Sequence, residues 1–299
     1  MIKKQKTVET LLDALPFIKK YNNEIVVIKY GGSAQTSPRL KEKFAQDMLL
    51  LYLVGLVPVI VHGGGNKITE MLDNLGIETE FIEGQRVTTP DVMRIVEMIL
   101  CGEINNEIVS LLNSHGAKAI GLNGKDAHFI TARPKEHSKW GLTGTITNIK
   151  ADVVHKMIKE KFIPVIAPVA ADSELSHPGY NINADLAASK IAAAIGARKI
   201  IFLTDTQGVL DKEGNLLRTL IKKDVDELKE DGTIYGGMLP KVDACLEALN
   251  LGVKKSHIID GRVEHAVLLE ILTSEGVGTQ ITLTPTTSGV VLDELQLQQ

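Results

Sequence analysis

A lysine is costly inside a buried strand, yet Lys29 stands within the apolar run EIVVIKYGGSA, Glu24 to Ala34, just ahead of the pair Gly31-Gly32. Glycines let the backbone turn tightly and bring N–H groups close to a ligand, and a helix N-terminus favours negative charge. The chemistry on offer is anion binding. The P-loop spacing G-x-x-x-x-G-K-[ST] is absent, and here the lysine precedes the glycines. Two more glycine loops follow β-branched runs: His62-Gly63-Gly64-Gly65-Asn66 after VPVIV, and Asp205-Thr206-Gln207-Gly208-Val209 after IIFLT. A tight turn explains any one of them; three at one sheet edge favour a bound anion. A dinucleotide site is the weaker reading, because HGGGNK is not G-x-G-x-x-G and no acidic residue ends the following strand.

Three further clusters could bring charge to such a site. YNINADLAASKIAAAIGA sets Asn181, Asn183 and Asp185 ahead of a small-residue helix. Capping explains one of these residues, not the cluster. GGMLPKVDACLEAL puts Pro240 and Lys241 in a first helical turn, where the helix dipole disfavours a cation. In GQRVTTPD, Arg86 precedes a helix start and can clamp a carboxylate bidentately.

Positioning these groups requires strands that alternate with helices. Strand patterns fall at 25–30, 57–61, 117–122, 163–169, 199–203 and 256–259, and several are nearly continuous Val/Ile, as in strands covered on both faces. Helical periods run over 38–54, 67–75, 90–115, 150–161, 184–195 and 241–251. The alternation predicts βαβ units with right-handed crossovers and a mainly parallel sheet, which brings ligands to the carboxyl ends of the strands. Residues 123–148 read as a hairpin-rich insertion and 211–237 as a charged excursion. The segment 7–20 carries Val8, Leu11, Leu12, Leu15 and Ile18 at helical spacing, with Thr7 and Thr10 as caps and Pro16 as a kink or stop. A helix ahead of the first strand has no obvious slot in its own core.

With 299 residues, 44% hydrophobic and 23% charged, the chain has ample material for one large domain or two lobes. A net charge of −4 with scattered basic residues, and only 4% aromatics, argue against a nucleic-acid partner. Cys101 and Cys245 fit no metal spacing and no disulfide framework, which favours a reducing, cytoplasmic setting. No signal-peptide h-region opens the sequence. The longest apolar run, 48–61, is too short to span a bilayer and is broken by Gly55 and Pro58. The expectation is a soluble protein with no membrane partner.

The set KYGGS, VHGGG, GQRVTTPDVMRIVEMIL, GLNGKDAHFITAR, YNINADLAA and GGMLPKVDACLEAL, in order from about residue 24 to 283, resembles the amino-acid kinase family. The resemblance implies an αβα sandwich with a mainly parallel central sheet, plus an N-terminal helix. It divides the chain into an oligomerisation helix (1–21), an N-lobe for the acceptor substrate and dimerisation (22–196) and a C-lobe for ATP and arginine (197–299). It also implies ATP-dependent phosphorylation of the γ-carboxylate of N-acetyl-L-glutamate in arginine biosynthesis. Carried over residue by residue, Lys29 and Lys241 become the transition-state lysines and Asp185 the aspartate that organises them. Gly31, Gly32 and Gly63 hold the transferring phosphoryl group. Gly64, Gly65, Arg86 and Asn181 bind substrate, and Thr204, Asp205 and Gly208 fall at the nucleotide. ATP would carry Mg²⁺, with no protein metal ligand. Arginine-sensitive members have an N-terminal helix that joins dimers into a hexamer, a trimer of dimers. They also have a C-terminal run like HAVLLEILTSEGVGTQI, which assigns an arginine site to His265, Glu275 and Gly278 with Tyr21 and Lys199 beside it. A PII signalling protein is a further expected partner. The alternative is a non-catalytic arginine sensor of the same fold, against which the intact Lys29, Asp185 and Lys241 speak.

Overall fold

The computed structural model describes residues 2–135, 139–172 and 178–285. Residues 173–177, within the run that leads to YNINAD, and the C-lobe beyond 285 lie outside them. The helices are α1 (Ile2–Tyr21), α2 (Pro38–Leu53), α3 (Gly65–Asn74), α4 (Pro90–Glu97), α5 (Asn105–Ser114), α6 (Ala151–Lys159), α7 (Ala184–Ala194), α8 (Lys222–Glu230), α9 (Met238–Asn250) and α10 (Ala266–Leu272). The strands are β1 (Ile25–Tyr30), β2 (Val57–His62), β3 (Phe81–Ile82), β4 (Gln85–Arg86), β5 (Ala119–Asn123), β6 (Ile130–Pro134) and β7 (Gly144–Ile149). There follow β8 (Ile163–Ala167), β9 (Val169–Ala170), β10 (Tyr180–Asn181), β11 (Lys199–Thr204), β12 (Thr219–Ile221), β13 (Lys255–Asp260) and β14 (Thr279–Thr282).

Eight strands form one sheet in the order β12-β14-β13-β11-β1-β2-β8-β5. From β13 to β5 every pairing is parallel; β14 runs antiparallel to β13. Because side chains alternate across a strand, β1 divides between two cores. Val26, Ile28 and Tyr30 pack with α2, α4 and α5, whereas Val27 packs with residues of α7 and α9. The result is the expected αβα sandwich. β1 lies at its centre, between β11 and β2, so the three glycine loops open from adjacent strand ends.

Three sequence expectations need correction. The helical period over 90–115 is not one regular helix: a π-helical stretch, Met98–Ile104, separates α4 from α5. The excursion 211–237 contains β12 and α8. α1 continues through Pro16 to Tyr21, since a proline removes one ladder bond from a helix that is otherwise largely in water. Thr10 therefore lies inside the helix, its hydroxyl donating to the Lys6 carbonyl at 2.9 Å instead of capping; Thr7 is inside it too. The 123–148 insertion does form a hairpin, β6–β7. Among the described residues, no helix is long and apolar enough to cross a membrane.

Candidate active site

The costly lysine of β1 has a partner. Lys29 Nζ lies 2.9 Å from Asp185 Oδ1, with the two side chains only 13% and 17% exposed. Local capping makes this possible: Asn183 is the N-cap of α7, its Oδ1 accepting from the N–H groups of Asp185 and Leu186 at 2.9 and 3.2 Å. That leaves the Asp185 carboxylate free to turn toward β1. A Cβ on Gly31 would sit 2.4 Å from the Leu203 carbonyl oxygen and 3.2 Å from Lys29 Nζ. The absence of a side chain is what lets this loop pass between lysine and neighbouring strand.

Arg86 lies against the second glycine loop. It is 6% exposed and donates to Thr79 Oγ1 (3.0 Å), Thr69 Oγ1 (2.7 Å) and the Gly65 carbonyl (3.2 Å). Burial lowers its pKa, opposed in part by Asp73. All three partners are neutral, and among the described residues no carboxylate pairs with it, so a buried cation here is set for an incoming anion. Asn181 Nδ2 donates to Thr88 Oγ1 at 3.1 Å, and Thr88 in turn meets Thr143 Oγ1 at 2.9 Å. Thr143 donates to the Arg86 carbonyl at 2.6 Å. This threonine pair was not singled out in the sequence, and it ties Asn181 to the arginine.

The C-terminal ends of β11 and β13 form the other side. Thr204 pairs with Asp260 in register. The Asp205 pKa is lowered, chiefly by the Thr204 hydroxyl donating at 3.0 Å, with smaller help from Lys241 and Arg262. Gly208 has φ 148°, and a Cβ there would meet Thr279 Oγ1 at 2.5 Å; only glycine fits. Lys241, in the first turn of α9, donates to the Gly237 carbonyl at 3.1 Å, so Asp185 contacts Lys29 and not Lys241 here. Asp260 and Arg262 form a two-pronged pair, 2.9 and 2.8 Å, which nothing in the sequence marked. Among the described residues no group of three His, Cys, Asp or Glu could hold a metal.

Residues 24–260 match the Amino acid kinase family. The chain belongs to that family. It is 69% identical over 281 residues to the acetylglutamate kinase of a Nitratiruptor species, covering 94% of this chain and 99% of the relative. It is likewise 69% identical over 283 residues to the acetylglutamate kinase of Sulfurimonas denitrificans, covering 95% and 100%. The N-acetylglutamate synthase of Neisseria gonorrhoeae, complexed with coenzyme A and N-acetyl-glutamate, shares the fold with a TM-score of 0.82 at 21% identity, over 93% of this chain and 64% of that one.

Within this amino acid kinase, the residues expected at an arginine site are only partly gathered. Tyr21 and Lys199 are buried together, Lys199 Nζ lying 5.0 Å from the Tyr21 ring. His265 instead faces buried Asp47, Nδ1 to Oδ1 2.5 Å. Gly278 is buried and Glu275 exposed. The acid whose charge acts on Lys199 is Glu270, which accepts the Val277 and Gly278 N–H groups and sits 2.6 Å from His257 Nδ1. Burial lowers Lys199 to about 8, leaving it charged at neutral pH. Burial lowers His257 to about 4, Lys199 adding to the effect. The charge opposite Glu270 at neutral pH is therefore Lys199, while His257 is neutral.

Proposed function

We propose that the chain is an acetylglutamate kinase, transferring the γ-phosphoryl group of MgATP to the γ-carboxylate of N-acetyl-L-glutamate. The observation that carries this is the 69% identity to acetylglutamate kinases over nearly the whole chain. The carboxylate nucleophile is already ionised, so no general base is required. A carboxylate oxygen forms a bond to the γ-phosphorus as the β,γ-bridging P–O bond breaks, and ADP leaves with the electron pair. No proton moves. What the protein must supply is alignment and positive charge. Arg86 and Asn181, with Gly64 and Gly65, hold the acceptor. Gly31 and Gly32, with Gly64 of the second loop, present N–H groups to the transferring phosphoryl group; Gly63, whose own N–H is taken by the Tyr30 carbonyl, turns that loop beside it. Lys29, steadied by Asp185, neutralises it, and Lys241 serves the leaving side. Thr204, Asp205 and Gly208 border the nucleotide, with Mg²⁺ carried on its phosphates.

On the same reading the protein works in the cytoplasm, in arginine biosynthesis, with 22–196 as acceptor lobe and 197–299 as nucleotide lobe. α1 supports assembly: Val8, Leu11, Leu12 and Leu15 are 54%, 65%, 59% and 41% exposed, an apolar stripe that wants a partner. Interlacing of α1 between dimers gives a hexamer, and arginine binding beside Tyr21, Lys199, His265, Glu275 and Gly278 would inhibit it. A PII protein is a further partner on this reading. An ADP-release assay across N-acetylglutamate, glutamate, aspartate, carbamate and UMP tests the core claim. Turnover with N-acetylglutamate is expected, and its absence rejects the assignment.

A further inference from the structure

Behind the glycine loops runs a chain of hydrogen bonds that none of the roles above uses. Gln35 closes the 3-10 turn Gly32–Gln35 that follows β1. Its Nε2 donates to the Tyr30 carbonyl at 3.0 Å and reaches the Gly63 carbonyl at 3.4 Å. Two carbonyl partners identify that atom as nitrogen. The Tyr30 carbonyl also accepts from Gly63 N–H at 3.0 Å. The two glycine loops are thus stitched together through carbonyl oxygens.

The chain continues inward. The Gly63 carbonyl lies 3.1 Å from Nδ1 of His62, which is fully buried. On the other side of that ring, Nε2 meets Asn105 Nδ2 at 3.1 Å, and the same Asn105 nitrogen donates to the Val165 carbonyl at 2.9 Å. An amide nitrogen only donates, so Nε2 is the acceptor and Nδ1 carries the proton. His62 therefore donates to the Gly63 carbonyl, which also accepts from Gln35, and a continuous network of hydrogen bonds links β8 to β1. Asn105 begins α5 directly after the π-helical stretch, and that stretch also presses on the loop. A Cβ on Gly64 would lie 2.4 Å from Ile104 Cδ1 and 2.7 Å from Leu100 Cδ2. π-helical segments are uncommon and often occur at functional sites.

The geometry follows from the peptide bond. In a planar trans peptide the C=O and the next N–H point in opposite directions, and the described chain contains no cis bond. Tethering the Tyr30 and Gly63 carbonyls therefore fixes the Gly31 and Gly64 N–H groups on the far side. Among the described residues neither N–H has an acceptor.

We propose that Gln35, together with His62 and Asn105, is a positioning residue for phosphoryl transfer, locking the two glycine loops by their carbonyls so that the Gly31 and Gly64 N–H groups are held toward the transferring group. This rests on the kinase reading above. The donor set by Gln35 acts through the backbone and touches no substrate.

The test uses Gln35→Met, which keeps the volume and removes the donor, and Gln35→Glu, which keeps the shape. In Gln35→Glu an ionised carboxylate faces two carbonyl oxygens without a proton to offer; protonated, it donates again. Losing one such hydrogen bond predicts a kcat fall of about tenfold for Gln35→Met, with both KM values within about threefold of wild type. Gln35→Glu should match Gln35→Met at pH 8 and recover toward wild type at pH 6, each rate taken relative to wild type at that pH. Wild-type kcat in Gln35→Met, or a Gln35→Glu ratio that is flat with pH, overturns the inference. If the wild-type protein itself fails to turn over N-acetylglutamate, the kinase reading falls separately. In that event ¹⁵N-glycine spectra of the free protein decide: Gln35→Met must shift the Gly31 and Gly64 amides, with Gln46→Met as the surface control, and unmoved amides overturn the lock.

Discussion

The two halves of the proposed site, acceptor and nucleotide, differ in how finished they are. On the acceptor half, Lys29 already grips Asp185 at 2.9 Å, Arg86 is buried against three neutral acceptors, and Asn183 spends its side chain on capping α7. On the nucleotide half, Lys241 rests on the carbonyl of its own helix start, Asp205 is exposed, and Tyr235 beside the Gly236-Gly237 pair is 75% exposed. One half is held by protein contacts alone. The other keeps Asp260 paired with Arg262 but leaves Asp205 in solvent and Lys241 on a single backbone carbonyl, for the ligand to organise. Preorganised charge does most for catalysis where negative charge crowds in the transition state, and the glycine loops and Lys29 belong to that half.

The largest effects should come from the two lysines, and they should part on stability. Lys29→Ala and Lys241→Ala should each lower kcat by about 10²–10³, the scale of one charge-stabilising donor. Lys29→Ala also strands Asp185 and should lower the Tm by a few degrees, whereas Lys241→Ala should leave it within about 1 °C. Thermal melts beside ADP-release rates check this. Near-wild-type turnover of Lys241→Ala removes its assigned role, and equal Tm losses erase the contrast between the halves.

Arg86 probes the acceptor half without touching the phosphoryl group. Arg86→Lys keeps the charge but loses the fork, so the KM for N-acetylglutamate should rise by about 10–100-fold while the KM for ATP stays put. A KM shift shared by both substrates would mean that the arginine holds the loops instead of the ligand.

Much of the acceptor half was legible in the sequence because its signals are local. An apolar run with one lysine, a glycine pair after it and an Asn-x-Asn-x-Asp helix start are each readable within a few residues, and the structure joins them by putting β1 beside β2 and β11. What was not legible is what depends on packing between distant elements. Nothing in MRIVEMILCGEINNE marks a π-helical stretch, because its apolar period fits a regular helix as well. Thr88 with Thr143, and Asn105 with His62, are ordinary residue types whose meaning comes from a neighbour 55 or 43 positions away. Glu270 rather than the exposed Glu275 is the acid whose charge reaches Lys199 for the same reason: two acids stand on one segment, and only the docking of α10 on β13 separates them.

The two regions also share a liability to acid, smaller than the effects above. His62, behind the glycine loops, and His257, in the C-terminal core, are both lowered by burial from the ordinary 6.5 to about 4. Each is neutral in the folded protein where the unfolded chain would bind a proton. Their contribution is therefore complete above pH 6.5 and is lost as pH falls toward 4. Asp47 acts in the opposite sense: burial raises it to about 6, so between pH 6 and 3.8 the folded state holds a proton that the unfolded chain has released. Two groups outweigh one, and unfolding in that window should take up net protons, seen as a Tm that declines steadily from pH 6.5 to 4. His257→Gln should make the decline shallower and Asp47→Asn should make it steeper. A Tm that is flat with pH, or one that rises on acidification, would mean that at least one imidazole is charged in the folded protein. For His62 that would reverse the direction of its hydrogen bond to Asn105, because a charged ring has no acceptor left to offer.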